Sequence, residues 1–263
     1  MGILAIERFT GHDENTVLRI LESAGTHCAA LLDSRIRNLR VYRVETDEVF
    51  SWIGCKPDKA DDNDPEFGAF FTFLSVAAKE KLIINWRVCK RTGDESLLFL
   101  KDLKSRMGQR IQLTTDCFRG YINWGGSAGK VQEVFGDNID YATESKKFTK
   151  DPRFTDKRAF FAPKVVKVTR KQRIGIPDMR FATTNHSERT NLTLRTLTRR
   201  FVRCTINFSK KLENHRHAVA IFAAYFNFCR VHKSLDGKTP AMAAGLADRV
   251  WTVAELLNQQ VNG

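Results

Sequence analysis

No apolar run in this sequence reaches the roughly 18 residues that an ordinary membrane-spanning helix needs. The first residues, Met1 to Glu7, hold no basic segment followed by an apolar stretch, so no secretory signal is expected. No fixed period recurs, which excludes a solenoid, a collagen or a coiled-coil array. The six cysteines form no C-x-x-C pair, and none is spaced for a zinc knuckle or a disulfide ladder. Reduced, mostly buried thiols in a cytoplasmic protein are the simple expectation.

What is present is enough to build a core. The 263 residues are 42% apolar and 28% charged, a composition for one large domain or two small ones. The formal net charge is +13, and its distribution is uneven. Residues 146–211 hold 19 Lys and Arg against 4 Asp and Glu, whereas the remainder is nearly balanced. A basic excess packed into one segment is the footprint of a polyanion partner, most often nucleic acid. A solvated basic surface is the plainer alternative.

Residues 3–23 read as two helical pieces. Leu4, Ile6 and Phe9 belong to the first, which ends near Gly11; Asp13 can cap the second, with Val17, Leu18, Ile20 and Leu21 inward. Two short helices around a Gly turn resemble the end of a helix-turn-helix, although an ordinary helical hairpin fits the pattern as well. Residues 28–38 continue as helix. Strands are then expected at 40–50, 67–77 and 82–89, a helix at 95–107, a strand at 111–115, a helix at 131–135 and a strand at 139–142. Residues 144–183 read as a basic insertion or extended loop. Helices at 187–204 and 215–230 follow, and a short one at 253–259 ends the chain. Three meandering strands before helical crossovers predict an α/β fold, a ribonuclease-H-like mixed sheet flanked by helices. The expected division is a partial helix-turn-helix at 1–38, a catalytic domain at 39–250 and a tail helix at 251–263.

Three carboxylates stand out by position. Asp47 lies on the first strand, Asp116 ends the fourth, and Glu188 opens the helix after the basic insertion. Strands one and four are neighbours in this order, so their aspartates can meet. Singly, each acid would most often be a solvated or capping group. Together they offer the hard oxygen donors that suit two Mg²⁺ or Mn²⁺ ions, with Asp47 as the bridge. Around the helix, Leu192, Arg195, Arg199 and Arg203 fall within about 60° of Glu188. Leu194, Leu197 and Phe201 fall opposite. Glu45 shares the Asp47 side of the strand and can support it, whereas alternation turns Glu48 to the other face. His186 is a possible phosphate contact, and Trp52 and Trp124 are possible DNA contacts, with surface exposure or packing the commoner fate of each.

At these residues the sequence resembles a known family. Val44-Glu45-Thr46-Asp47-Glu48-Val49-Phe50-Ser51-Trp52 is similar to the V-x-x-D-E-x-W-S-F segment of insertion-sequence-one type transposases. Leu113 to Tyr121 resembles their second-aspartate segment, and Glu188-Arg189-Thr190-Asn191-Leu192-Thr193-Leu194-Arg195 their E-R-x-N-L-T-x-R helix. Phe208 to His215, Tyr225 to Leu235 and Thr239 to Leu246 continue the likeness, which runs over nearly the whole chain. Phe50 stands where that family usually has Trp.

The resemblance implies a DDE transposase on a ribonuclease-H-like fold with a DNA-binding N-terminus. Asp47, Asp116 and Glu188 would be its catalytic, metal-binding carboxylates. Such an enzyme cuts at transposon ends with Mg²⁺ or Mn²⁺ and transfers the strand into target DNA. Arg189, Asn191, Arg195, Arg199, Arg203, Lys210, Lys211 and Lys233 are the residues expected at double-stranded DNA. Residues 13–23 would read the end repeats, and paired ends imply a homodimer or higher oligomer. A chain that starts inside the helix-turn-helix further implies a truncated or decayed copy. A catalytically silent, transposase-derived DNA-binding protein and a structure-specific nuclease are the competing expectations.

Overall fold

The computed structural model describes residues 2–61, 64–123, 128–149, 164–201 and 207–259. A short helix α1 (Ile3–Thr10) turns at Gly11 into α2 (Glu14–Arg35). Asp13 caps α2 as expected, accepting the backbone N–H groups of Asn15 and Thr16. The two helical stretches expected beyond Gly11 are one continuous helix. Its first half differs from expectation: Val17 is buried, but Ile20 is exposed, and Leu4 and Phe9 on α1 are exposed too. The core is met by the second half of α2, through Cys28, Leu31 and Leu32.

Three antiparallel strands follow: β1 (Arg43–Ile53), β2 (Gly68–Ala77) and β3 (Ile83–Cys89). The second is buried along most of its length, which is why its sequence is a near-continuous apolar run. Helix α3 (Gly93–Arg106), capped by Thr92, crosses back to β4 (Gln112–Thr115), which lies parallel to β1. Helix α4 (Gly129–Phe135) leads to β5 (Asp140–Phe148), parallel to β4.

Most of the described residues in the segment read as an insertion belong to the sheet. Strand β5 continues to Phe148, and β6 (Val165–Ile174) pairs back on it antiparallel. The strand order β3-β2-β1-β4-β5-β6 is the ribonuclease-H-like mixed sheet predicted from the element order, with one strand more. Periodicity misses this hairpin because most of β6 is exposed on both faces and so carries no apolar alternation.

Helix α5 (Asn185–Leu197) is shorter than expected. It ends at Leu197, and the chain passes into a 3₁₀ turn at Arg199–Phe201. The helical wheel therefore does not extend to Arg199, and Arg203 lies outside the described residues, as does Trp124. Leu194 and Phe201 are buried as expected, but Leu197 is exposed. Helix α6 (Leu212–Phe228) packs on α2, where Gly25 lets the backbone come against His217: a Cβ there would sit 2.3 Å from the His217 Cβ. Asn227 of α6 pairs both its amide atoms with the backbone of Ile83, at 2.9 and 2.8 Å, which fixes the helix to the edge strand. A single turn α7 (Pro240–Ala243) and α8 (Val253–Asn258), closed by a Thr252–Glu255 capping box, finish the chain. Among the described residues no helix is long and apolar enough to cross a membrane.

Candidate functional site

Parallel pairing of β1 with β4 ends at Thr46 opposite Thr115. The next residue on each strand is an aspartate, so register alone brings Asp47 and Asp116 side by side. Asp116 then turns the chain out of the sheet, accepting the Phe118 N–H at 2.8 Å on Oδ1. Since β4 stops at Thr115, Asp116 sits beside β1 and reaches both of its faces. Oxygen atoms of Asp47, Glu48 and Asp116 lie within 4.8 Å of one another.

Glu48 is the residue that alternation set aside. Its carboxylate nonetheless comes within 4.8 Å of both Asp47 and Asp116, which follows the last residue of β4. The sequence signal was the adjacent Asp-Glu pair on a strand whose other residues are mostly apolar or small. The Glu48 side chain is 2% exposed; Oε1 accepts the Tyr121 hydroxyl at 2.5 Å and Oε2 accepts Arg91 at 2.9 Å.

Glu188 lies on another wall of the same cavity, of about 640 Å³, which Asp47, Asp116 and Lys146 also line. It stands outside the tight cluster. Its carboxylate is 45% exposed and accepts the Lys146 ammonium at 2.5 Å and the Thr184 hydroxyl at 2.9 Å. Lys146 comes from β5, in the hairpin.

Two polar contacts hold α5 against β1. Buried Glu45 accepts the backbone N–H groups of His186 at 2.6 Å and Ser187 at 3.1 Å, and pairs with the His186 ring at 2.7 Å. A carboxylate at a helix N-terminus satisfies donors that the helix leaves free. One and a half turns on, Asn191 donates to Asp47 Oδ2 at 2.8 Å. The support expected of Glu45 is thus given to the helix that carries Glu188.

Crowding of acids shapes the electrostatics. Burial, then the charges of Asp116 and Glu188, push the Asp47 carboxyl up to about 6, against the opposing pull of the Glu48 backbone and Asn191. Burial and the Asp116 charge push Glu48 up to about 8, with Tyr121 and Arg91 opposing. The recessed position of Asp116 raises it too, and the Phe118 N–H and Arg91 counter that. A bound cation would relieve this repulsion. The donors are all carboxylate oxygens, which fit Mg²⁺ or Mn²⁺ and not a soft metal.

The residues expected at DNA divide into groups. Arg189 is exposed on α5, Arg195 is half-buried, and Arg199 is exposed in the 3₁₀ turn. Lys210, with its ammonium 3.6 Å from the Phe208 ring centre, Lys211 and Lys233 are exposed. Asn191 is not on that surface: it is 2% exposed and bound to Asp47. Trp52 packs edge-on against Phe50 and Phe208.

Comparison with known proteins yields structural neighbours only. The catalytic core domain of bovine immunodeficiency virus (BIV) integrase aligns over 78% of this chain and 93% of that one, at 14% identity and a TM-score of 0.42. A chain of the simian T-cell lymphotropic virus intasome, solved with a PP2A regulatory subunit, aligns over 85% of this chain and 57% of that one, at 15% identity and a TM-score of 0.44. No protein-family model matches the chain, and no curated protein matches it.

Proposed function

We propose that this chain is a DDE-type DNA transposase of the insertion-sequence-one type, which cuts element ends and joins them to target DNA. The observation that carries the reading is the meeting of Asp47, Glu48 and Asp116 oxygens within 4.8 Å, in a cavity that Glu188 also lines. Asp47, Asp116 and Glu188 would hold two Mg²⁺ or Mn²⁺ ions. Such a pair, when bound, activates the attacking hydroxyl or water and stabilises the leaving 3′ oxygen.

The chain's own residues do the rest. Asp47 and Asp116 fix the reacting phosphate's position by fixing what it binds, and positioning of that kind supplies much of the rate. Arg189, Arg195, Arg199, Lys210, Lys211 and Lys233 hold the DNA backbone without reading sequence. Reading of the end repeats falls to residues 13–23, and paired ends call for at least two copies of the chain in the nucleoid.

A second reading keeps DNA binding and drops catalysis. It is favoured by one observation: Glu188 is tied to Lys146, outside the carboxylate cluster. Labelled DNA from both flanks of the gene separates the two. With Mg²⁺, wild type is expected to nick that DNA and join it to a plasmid, while Asp47→Asn retards it without reaction. A wild type as inert as the variant supports the binding reading; cutting without joining supports a nuclease.

A further inference from the structure

Both oxygens of Glu48 are already taken by protein donors, Tyr121 at 2.5 Å and Arg91 at 2.9 Å. The same Arg91 nitrogen reaches Asp116 Oδ2 at 3.5 Å. The Arg91 guanidinium lies 3.9 Å from the centre of the Phe118 ring. Phe118 meets Tyr121 edge-on at 5.5 Å, and both rings pack on buried Phe73. The Tyr121 N–H closes the turn onto the Phe118 carbonyl at 3.0 Å. Glu48 on β1, Arg91 ahead of α3 and the turn from Asp116 to Tyr121 therefore form one closed ring of contacts. Asp116 is the only member of that ring that also lines the cavity with a carboxylate.

A carboxylate with each oxygen held by a protein donor, behind two acids that line the cavity themselves, is placed to orient those neighbours. We propose that Glu48 is a positioning residue: through Tyr121 and Arg91 it locks the Asp116 turn, aims Asp116 at Asp47, and does not itself bind the ion. This rests on the metal-dependent reading above. It differs from a four-carboxylate site, in which Glu48 would be one more ligand.

The test is Mn²⁺ titration of the full chain, by calorimetry, for wild type, Glu48→Gln, Tyr121→Phe and the double variant. Tyr121→Phe deletes one hydroxyl, leaves every acid in place and keeps the ring that packs on Phe73. Circular dichroism checks each fold, and Tyr121→Phe carries the test if Glu48→Gln does not fold. We expect unchanged stoichiometry, affinity about tenfold weaker for Glu48→Gln, and a smaller loss for Tyr121→Phe. The double variant should match Glu48→Gln, because the hydroxyl acts only through that carboxylate. Wild-type affinity in Tyr121→Phe, or an ion lost from the stoichiometry in Glu48→Gln, overturns the positioning role while leaving the metal site standing. A wild type that binds no Mn²⁺ overturns the metal-dependent reading and this proposal with it.

Discussion

Asn191 of α5 donates its amide N–H to Oδ2 of Asp47 on β1, over 2.8 Å and 144 residues of chain. This bond joins the helix that carries Glu188 to the strand that carries the first acid. Asn191→Ala removes the donor and opens a gap beside a buried carboxylate. A hydrogen bond to a charged group contributes about 1.5–3 kcal/mol, so the thermal midpoint should drop by several degrees. Mn²⁺ affinity should fall with it, because Asp47 then loses a contact that favours its anionic form. Calorimetric melting and a Mn²⁺ titration check both.

Glu45 anchors the first turn of the same helix through His186 and Ser187. Glu45→Ala leaves two backbone N–H groups without their acceptor at a helix N-terminus. The expected cost is about 2 kcal/mol, from charge-assisted bonds at a helix end. Urea unfolding should show a lower midpoint with an unchanged slope. An unaltered midpoint would mean that α5 is held by its apolar face alone.

Lys146 and Glu188 form the ion pair that keeps Glu188 on its own wall of the cavity. Lys146→Met removes the ammonium and leaves the stem in place. Divalent-ion affinity should rise several-fold, since a competing cation is gone. The log–log salt slope for duplex binding should fall by about 1 if Lys146 also meets phosphate when DNA is bound. Titration and fluorescence anisotropy across a salt series read the two effects.

His215 gives the fold an acid-sensitive point that is not part of the cavity lining. Its ring is buried, meets the Ser209 hydroxyl at 2.8 Å and lies 3.4 Å from the Ser51 hydroxyl. Burial, then the charge of Arg200, lowers it from 6.5 to about 3. A group held below its unfolded value takes up protons on unfolding. The neutral ring's stability is therefore complete above about pH 6.5 and is lost as pH falls toward 3. The full window is on the order of 5 kcal/mol. His215→Gln should start less stable at neutral pH and show a flatter acid limb between those values. Urea midpoints from pH 7 to pH 4 measure it.

Much of this was readable in the residues, for a physical reason. Buried strands carry unmistakable apolar runs, as β2 does, and parallel pairing makes Asp47, within β1, a neighbour of Asp116, just past β4. Four features escaped. Glu48 did, because alternation treats a strand as part of an endless sheet, and Asp116 stands at the point where the neighbouring strand stops. Strand β6 did, because a strand exposed on both faces has no alternation to read. The end of α5 did, because a wheel drawn from Glu188 continues past Leu197, whereas the backbone leaves the helix at Thr198. Asn191 was assigned to the surface by its place in a motif; only packing shows that it faces Asp47.

The central claim is that acids from β1 and the end of β4 share a divalent cation. Anomalous diffraction from crystals soaked in Mn²⁺ tests it most directly. The account requires a peak within bonding distance of carboxylate oxygens of both Asp47 and Asp116, lost in crystals of Asp47→Asn. A map with no peak between those two side chains, or with Mn²⁺ held only at other acids, contradicts it.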